Sequence, residues 1–279
     1  MKNDGYILVK GAGDFASGSI RRLKIAGFNV AATELPEPLA IRRGAAFSEA
    51  VYNGKAEVEG ITAVRSDIND FESAISERFI PIVVDPEGKM AGLRKWDVLV
   101  DARMTKKKTD TRINDAAIVI GMGPGFTAGT DCHAVVETHN GDDLGRVIFD
   151  GPPAPYTGKP KEKDLDLCGV RYDDADLRKL VYFADQGGIF KTKLGIANAV
   201  AEGDLIGYID DSPLIAKAGG ILRGILHTNL NINKGAKLIE IDPAHRRELC
   251  YKISSKANAM AGGVLEAVFT LLSKNNSER

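Results

Sequence analysis

The chain of 279 residues is poor in the residue types that most directly declare a function. It has only three cysteines, Cys132, Cys168 and Cys250, far apart and without a C-x-x-C pair. That pattern argues against a disulfide framework and against a cysteine-based structural zinc site. Free thiols in a reducing compartment fit it better. No run of about 18 apolar residues exists, the length a membrane-spanning helix needs. The opening MKNDGYILVKGAG passes straight into a strand pattern, without an apolar leader core or small-residue cleavage site, so the expectation is a cytoplasmic protein without membrane association. Net charge is also lacking: 37 Lys plus Arg face 38 Asp plus Glu. No global field draws this chain to nucleic acid or an anionic bilayer, and any charged ligand must be met by a local patch.

What the chain does have is 30 glycines and 44% hydrophobic residues, enough apolar material for one large domain or two modest ones. The glycines cluster after apolar runs. The densest cluster lies in Ile118 to Glu137, IVIGMGPGFTAGTDCHAVVE, where Gly121, Gly123, Gly125 and Gly129 follow a strand-like run. Glycines spaced so closely let backbone N–H groups approach an anion and form a concavity around it. Asp131, Cys132 and His133 follow at once, an acceptor, a soft nucleophile and a titratable imidazole. Neighbouring residues of a strand face opposite ways, so Cys132 and His133 cannot be a catalytic pair if the segment is extended. A buried cysteine acting as a small hydrophobe and a structural histidine are the alternatives for these two.

The N-terminus supplies a second cluster. Tyr6 to Lys10 reads as a strand, and Gly11-Ala-Gly13-Asp-Phe-Ala16-Ser-Gly18 as a turn leading into an amphipathic helix over Ser19 to Gly27. The spacing meets the dinucleotide fingerprint with alanine in its third slot. The next strand, Asn29 to Thr33, ends at Glu34, 23 positions beyond Gly11, about where an acid binds a ribose diol. Asp14 departs from that pattern, since a carboxylate at the helix start suits the dipole but repels a phosphate. Leu39 to Val51 reads as a helix with Arg42 and Arg43 near its start, a pair able to hold an anion or to line a solvated face.

Further on come an alternating run at Gly60 to Val64, a helix over Asp67 to Arg78 with an Asp cap, and strands at Ile80 to Val84, Asp97 to Val100 and Ala116 to Ile120. Continuous apolar strands separated by helices imply a parallel sheet covered on both faces. Arg103, Lys106 to Lys108 and Arg112 follow one strand as a basic loop, either the rim of the same crevice or a solvated charge run. Val135 to Glu137 and Arg146 to Phe149 flank Asn140-Gly141 as an antiparallel hairpin.

Three stretches, KGAGDFASG, TELPEPLAIRRGAAFSEAVY and GMGPGFTAGTDCHAVVETHNGDDLGRV, resemble the selenium-dependent molybdenum hydroxylase accessory (maturation) family, itself related to the xanthine dehydrogenase accessory proteins that bind molybdenum cofactor and help sulfurate it. The resemblance covers nearly the whole chain. It implies an accessory protein that holds an anionic molybdopterin-type or nucleotide cofactor and supports selenium or sulfur insertion into a molybdenum hydroxylase client. The candidate cofactor-binding residues are Gly11, Gly13, Asp14, Phe15, Ala16 and Gly18 at the first turn. Glu34, Arg42 and Arg43 follow, and Gly121, Gly123, Gly125, Phe126, Gly129, Asp131 and His133 form the second loop. Cys132 is the candidate chalcogen carrier, since a soft thiolate suits selenium and molybdenum. An NAD(P)-dependent oxidoreductase using the first turn is the alternative, and a purely structural partner protein is a third.

The second half begins with a linker or crossover over 151–178, rich in Pro, Gly and Lys. A pattern then repeats 32 positions apart: Val200, Gly203, Ile206, Ile209 and Asp210 match Ile232, Gly235, Leu238, Ile241 and Asp242. Two such quasi-repeats resemble the barrel-sandwich hybrid of biotinyl and lipoyl domains, which raises Lys217 as a carrier lysine. Its apolar, strand-like context favours a structural or docking role instead. Ala257 to Leu272 reads as an apolar helix packed between modules or at a homo-oligomer interface. The expected architecture is therefore α/β, a Rossmann-like doubly wound parallel sheet over 1–150, a linker over 151–178, a small all-β barrel-sandwich-hybrid-like module over 179–250 and a C-terminal helix over 251–279.

Overall fold

Apolar strands alternating with helices build a mixed α/β protein in the computed structural model, which describes residues 4–76, 78–155, 166–167, 170–171 and 178–277. The chain divides into two compact units. The first comprises Met1–Pro38, Ala46–Lys159 and Ile253–Arg279; the second comprises Leu39–Ala45 and Pro160–Lys252.

In the first unit β1 (Tyr6–Lys10) leads into α1 (Asp14–Ile25), and β2 (Asn29–Glu34) follows. Then come α2 (Glu49–Asn53), β3 (Lys55–Val58), β4 (Ile61–Ser66), α3 (Phe71–Ser76), β5 (Ile80–Val84), β6 (Val98–Asp101), β7 (Ile118–Met122), β8 (Ala134–Val136) and β9 (Val147–Ile148). They form one nine-stranded sheet in the order β3-β4-β5-β2-β1-β6-β7-β8-β9. Every pairing from β4 through β8 is parallel, and only the two outermost strands run antiparallel. The chain winds out from β1 to β2 on one side and returns to wind through β6 on the other, so the order reverses between β1 and β6. In such sheets the carboxyl rim at the reversal is where a crevice opens.

Alternate residues of the central strands feed two apolar layers. Ile7, Val9, Val98, Val100, Ile118 and Ile120 pack on one face, and Leu8, Leu99 and Val119 on the other. Helix α1 turns Ala16, Ile20 and Leu23 inward, the i, i+4, i+7 stripe of an amphipathic helix. The last helix, α4 (Ser255–Ser277), buries Ala257, Met260, Val264, Ala267 and Val268 in the same layer. It belongs to the first unit. Each fully buried Met or Val side chain contributes roughly 1.5–3 kcal/mol.

Two expected helices are corrected. Leu39 to Val51 is not one helix: only α2 and a 3-10 turn at Arg43–Ala45 form. Gly44 packs against the Cys250 carbonyl, and tertiary contacts of this kind override local propensity. Asp67 to Arg78 yields α3 alone, because the Asp67 carboxylate accepts the Asn69 N–H at 2.9 Å and turns the chain before the helix starts. The sequence reading had no counterpart for β3, a polar edge strand.

The second unit is built of antiparallel strands. After the pair β10 (Asp166–Leu167) and β11 (Val170–Arg171) come β12 (Val181–Phe183), β13 (Gly188–Lys191), β14 (Ala199–Val200) and β15 (Leu205–Ile209). Then follow β16 (Ser212–Ile215), β17 (Gly220–Ile225), β18 (Leu230–Ile232) and β19 (Lys237–Asp242). One four-stranded sheet runs β12-β19-β17-β14 and the other β16-β15-β13-β18. The 32-residue sequence repeat is visible pair by pair. Val181 pairs with Glu240 as Pro213 pairs with Tyr208, Gly188 with Ile232 as Gly220 with Val200, and Phe190 with Ile209 as Leu222 with Ile241. Each partner is displaced by 32 positions and lands in the opposite sheet. The turn glycines obey the same exchange: Gly203 N–H donates to the Ala216 carbonyl at 2.8 Å, and Gly235 N–H to the Ala184 carbonyl at 2.7 Å. The junction of the repeats is the Asp210-Asp211 turn, so Lys217 is not at its tip. Its backbone N–H is held by Tyr182 Oη at 2.6 Å. Most of the expected linker over 151–178, with Cys168, lies outside the described residues.

Gly203 and Gly235 have φ of 91° and 86° with open space where a Cβ would stand. Replacing either with alanine therefore tests backbone strain alone. Gly203→Ala and Gly235→Ala should each lower stability by about 1–2 kcal/mol, and equally, as read by denaturant unfolding. A marked inequality would contradict the two-fold relation between the turns.

Candidate functional site

At the carboxyl end of β1 the chain turns through Gly11 at φ 95°, with Gly11 N–H bonded to the Thr33 carbonyl at 2.9 Å. Gly13 is the N-cap of α1 and gives that helix end no side-chain cap. The turn is held from beneath: Ser17 Oγ donates to the Gly13 carbonyl at 2.9 Å and accepts the Phe47 N–H at 2.9 Å, while Ser48 N–H donates to the Ala12 carbonyl at 2.8 Å. Glu34, at the end of β2, reaches across. Its Oε2 accepts the Ala12 N–H at 2.9 Å and its Oε1 the Leu35 N–H at 2.8 Å. Burial pushes the Glu34 carboxyl above its ordinary value, against the opposing pull of these two N–H groups. An uncapped helix N-terminus with glycines before it can receive an oxyanion, although Asp14 stands in its first turn. On the same rim, beyond β4 and β5, a cavity of about 660 Å³ is lined by Arg65, Ser66, Asp67, Asp85, Glu87 and Lys89 among others.

The neighbouring strand end carries a polar network in which Arg103, expected as part of a basic rim, is joined by Lys10, Asp101, Asp110 and Thr111, which were not among the expected site residues. Lys10 and Asp101 end β1 and β6 in register, and both are buried. Arg103 donates to Asp101 through Nε at 3.0 Å and Nη2 at 2.6 Å, and Thr111 Oγ1 donates to Asp101 Oδ2 at 2.7 Å. Lys10 Nζ lies 3.1 Å from Asp110 Oδ2 and 2.9 Å from Thr111 Oγ1. The sequence signal was there: YILVK and VLVD are apolar strands that each end on a charge.

The second glycine cluster does not form a single anion loop. Gly121 lies under the ring of Phe126, itself buried, and a Cβ on Gly125 would meet the Lys107 carbonyl at 2.7 Å. Those two glycines admit protein rather than ligand, and Gly123 abuts Thr138. From there the chain crosses to the other rim. The parallel register of Ile120 with Ala134 places Gly129, Asp131, Cys132 and His133 at the amino end of β8, opposite the Gly11 turn. His133 Nδ1 accepts the Val119 N–H at 2.9 Å, and desolvation holds its pKa below the usual imidazole value. Asp131 accepts the Thr127 N–H at 3.0 Å and pairs with Lys108 at 2.8 Å. Cys132 is 0% exposed, and burial pushes its thiol up to about 11. This is the inert, hydrophobe-like cysteine rather than a thiolate carrier.

The remaining expected residues scatter. Arg42 and Arg43 belong to the second unit, where Arg42 Nη2 donates to the Lys252 carbonyl at 2.8 Å and Arg43 Nε to the Ile225 carbonyl at 2.7 Å. Ala16 is core. Phe15 packs on the same layer, with Lys256 Nζ 5.6 Å from its ring centre. Gly18 lets α1 approach α4, since a Cβ there would lie 2.7 Å from the Ala257 carbonyl. What assembles at one rim is therefore Gly11, Gly13, Asp14 and Glu34, flanked by Lys10, Asp101, Arg103 and Asp110. Among the described residues no group of three or more His, Cys, Asp or Glu could hold a metal ion, and no helix is long and apolar enough to cross a membrane.

No model of a known protein family matches the chain. The chain is 38% identical over 267 residues to the uncharacterized protein YqeB of Escherichia coli strain K12, an alignment covering 95% of this chain and 48% of YqeB. It thus spans about half the length of the curated relative it matches. Among solved structures, a succinylglutamate desuccinylase/aspartoacylase from Rhodobacter sphaeroides aligns over 86% of both chains at 14% identity and a TM-score of 0.26. The ectoine utilization protein EutE (DoeB) from Ruegeria pomeroyi, with product bound, aligns over 86% of both at 11% identity and a TM-score of 0.26. Likenesses this slight carry no argument about fold or activity.

Two tests follow from the geometry. Because Glu34 titrates higher in the folded chain than in the unfolded one, the unfolded state releases that proton first. Its share of the stability is therefore fully present below the unfolded value and is lost as pH rises through the folded one. Glu34→Gln should remove this decline in a pH series of denaturant unfolding; an unchanged profile would show that Glu34 is not the group responsible. Cys132, with its thiol near pKa 11, should resist iodoacetamide at neutral pH in the native protein and react on unfolding, by peptide mass mapping. Rapid native labelling would return it to the list of reactive groups.

Proposed function

We propose that this chain is an accessory protein in the maturation of a selenium-dependent molybdenum hydroxylase, binding an anionic molybdopterin-type or nucleotide cofactor and supporting selenium or sulfur insertion into its client. The single observation that carries the binding part is the Gly11–Gly13 turn tied to Glu34 by the Ala12 N–H bond of 2.9 Å at the point where strand order reverses. The motif resemblance supplies the biological assignment. We read the first unit as Rossmann-like and the second as a barrel-sandwich-hybrid-like module, the latter supported by the exchange of every compared strand pairing across 32 positions.

The residues present fit the anionic end of such a cofactor. Gly11 turns the chain at φ 95° against the Ala102–Arg103 backbone and so sets Gly13 at the rim as the N-cap of α1, whose N-terminus offers N–H donors. Glu34 lies where it could accept from a hydroxyl of a ribose or similar diol. Bound there, the cofactor would supply the soft sulfur donors and the metal chemistry. This chain's residues bind it, orient it and limit its access to water. The chalcogen-carrier role leaves Cys132, since its thiol is buried.

The test is a thermal-shift series with molybdopterin-type cofactor, cytidine and guanosine nucleotides and NAD. At 100 times its dissociation constant a true ligand should stabilise the fold by about 2.7 kcal/mol. Gly13 has φ −63° and ψ −180°, a conformation open to other residues. Gly13→Val should therefore fold yet lose that response, because it sets a branched side chain at the α1 N-cap where the proposed ligand would approach the backbone. A response to NAD alone would favour the oxidoreductase, for which Glu34 is equally well placed. No response to any ligand would refute cofactor binding.

A further inference from the structure

Two cations stand at the carboxyl ends of β1 and β6 and share one half-exposed carboxylate. The Lys10 side chain is 5% exposed and that of Asp110 is 55% exposed, yet they meet at 3.1 Å. Asp110 Oδ1 simultaneously accepts Arg103 Nη2 at 2.6 Å. Burial pulls the Asp110 carboxyl up, but bonds from Arg103 and Lys10 outweigh it and hold the group down at about 2. Arg103 is already bonded twice by the fully buried Asp101. Lys10 has Thr111 Oγ1 at 2.9 Å and Asp115 only at 3.9 Å. Asp110 therefore uses one oxygen for each of two cations that are anchored elsewhere, as one edge of a phosphate would. It also lines an open depression of about 540 Å³ formed by the loop from Arg103 to Asp110, with Lys106 and Lys107.

A bridge made only for stability does not explain this arrangement. Burying a lysine costs more than a surface pair returns, and an apolar residue at position 10 would continue the apolar strand. Nor does stability explain why the bridging acid is the more exposed partner of both cations, 55% against 5% for Lys10 and 34% for Arg103.

We propose that Lys10 Nζ and the Arg103 guanidinium, held in place by the Thr111 hydroxyl and Asp101, form an oxyanion site for a phosphate group of the bound ligand, and that the Asp110 carboxylate stands in that site until phosphate displaces it. The inference rests on the anionic-cofactor reading above and deepens it, placing a second charge contact one strand away from the Gly11 turn. The exchange is non-covalent and conserves the pairing. Asp110 swings into water, and the phosphate oxygens take the N–H donors it leaves. Asp110 is the carboxylate that Lys10 and Arg103 share, so its departure frees one N–H donor on each of them, with Asp115 left 3.9 Å from Lys10.

The experiment is isothermal titration of inorganic pyrophosphate into the whole chain at fixed ionic strength, comparing wild type with Asp110→Ala and Lys10→Met. Each variant is first checked by thermal unfolding, and Asp110→Asn serves if the alanine form does not fold. Removing the competing carboxylate should tighten pyrophosphate binding about tenfold, on the order of one charge-assisted hydrogen bond. Lys10→Met should weaken it by at least as much. Equal or weaker binding by a folded Asp110 variant overturns the proposal, as does wild-type affinity in Lys10→Met. If pyrophosphate affinity ignores Asp110 while Gly13→Val still abolishes the cofactor response, only the second site falls. If neither wild type nor the Asp110 variant binds pyrophosphate and no cofactor shifts the unfolding temperature, both readings fall together.

Discussion

The constraint on which the first unit depends is that apolar parallel strands must end somewhere, and at the reversal point they end on charges. Lys10 and Asp101 face each other in register at the ends of β1 and β6. Both side chains are buried, so each must be paired where it stands. The pairing is supplied by the segment that follows β6: Arg103, Asp110 and Thr111 return to the strand ends and bond them. The loop from Arg103 to Asp110 is thus fixed by its two ends, and its middle is held as well, with Lys108 paired to Asp131 at 2.8 Å and the Thr105 and Lys107 carbonyls packed against Gly125. On the other side of β1 the Gly11 turn is held by Glu34 in an analogous way, with a carboxylate from the next strand satisfying a loop N–H.

The glycines divide between two physical uses, and only one of them concerns a ligand. Gly18 and Gly263 let α4 approach α1 and the loop before β9, since a Cβ at either position would run into the backbone of Ala257 or Gly145. Gly121 accepts the Phe126 ring, and Gly125 accepts two carbonyls of the basic loop. At the Gly11–Gly13 turn, Gly11 faces the Ala102 and Arg103 backbone at 3.4 Å with φ 95°, and the proposed ligand approach falls to Gly13, the N-cap of α1. Spacing alone does not separate these cases, because a glycine pressed by protein and one left free for a ligand look alike along the chain. The difference is made by what faces the missing Cβ.

The same reasoning explains which parts of the structure were legible in the sequence. Strands β1, β2, β5, β6 and β7 were readable because each is a continuous apolar run between breakers, and α1 because its buried stripe is regular. Glu34 was readable from its distance to the turn. Arg42 and Arg43 were misplaced because the segment Leu39–Ala45 leaves the sheet and joins the second unit, a decision made by contacts with residues some 200 positions away. Asp131 to His133 were placed on the wrong rim because the glycine loop crosses the sheet before β8 begins, and nothing local encodes that crossing. The network of Lys10 and Asp101 was overlooked for the opposite reason: each charge is visible, but their register is a property of the sheet.

The second unit shows how far a duplicated backbone constrains its side chains. Its pairings exchange across 32 positions, yet equivalent outward positions have diverged. Arg223 and Glu240 are buried and paired at 2.6 Å, while their equivalents, Lys191 and Tyr208, are exposed. Around Glu240 burial alone would raise the carboxyl, but Lys237, Arg223 and Arg42 hold it ionised. The covering elements account for the asymmetry. Ile41 accepts the Ile225 N–H at 2.9 Å and brings Arg42 in beside it, and Cys250 and Ala197 cover Ile221. Ile189, the equivalent of Ile221, remains 38% exposed. A two-fold backbone therefore has two faces of different chemistry because one has become the seat of the Leu39–Ala45 segment. Once that face is buried, its charges must be matched in number and position, whereas the open face stays free to vary.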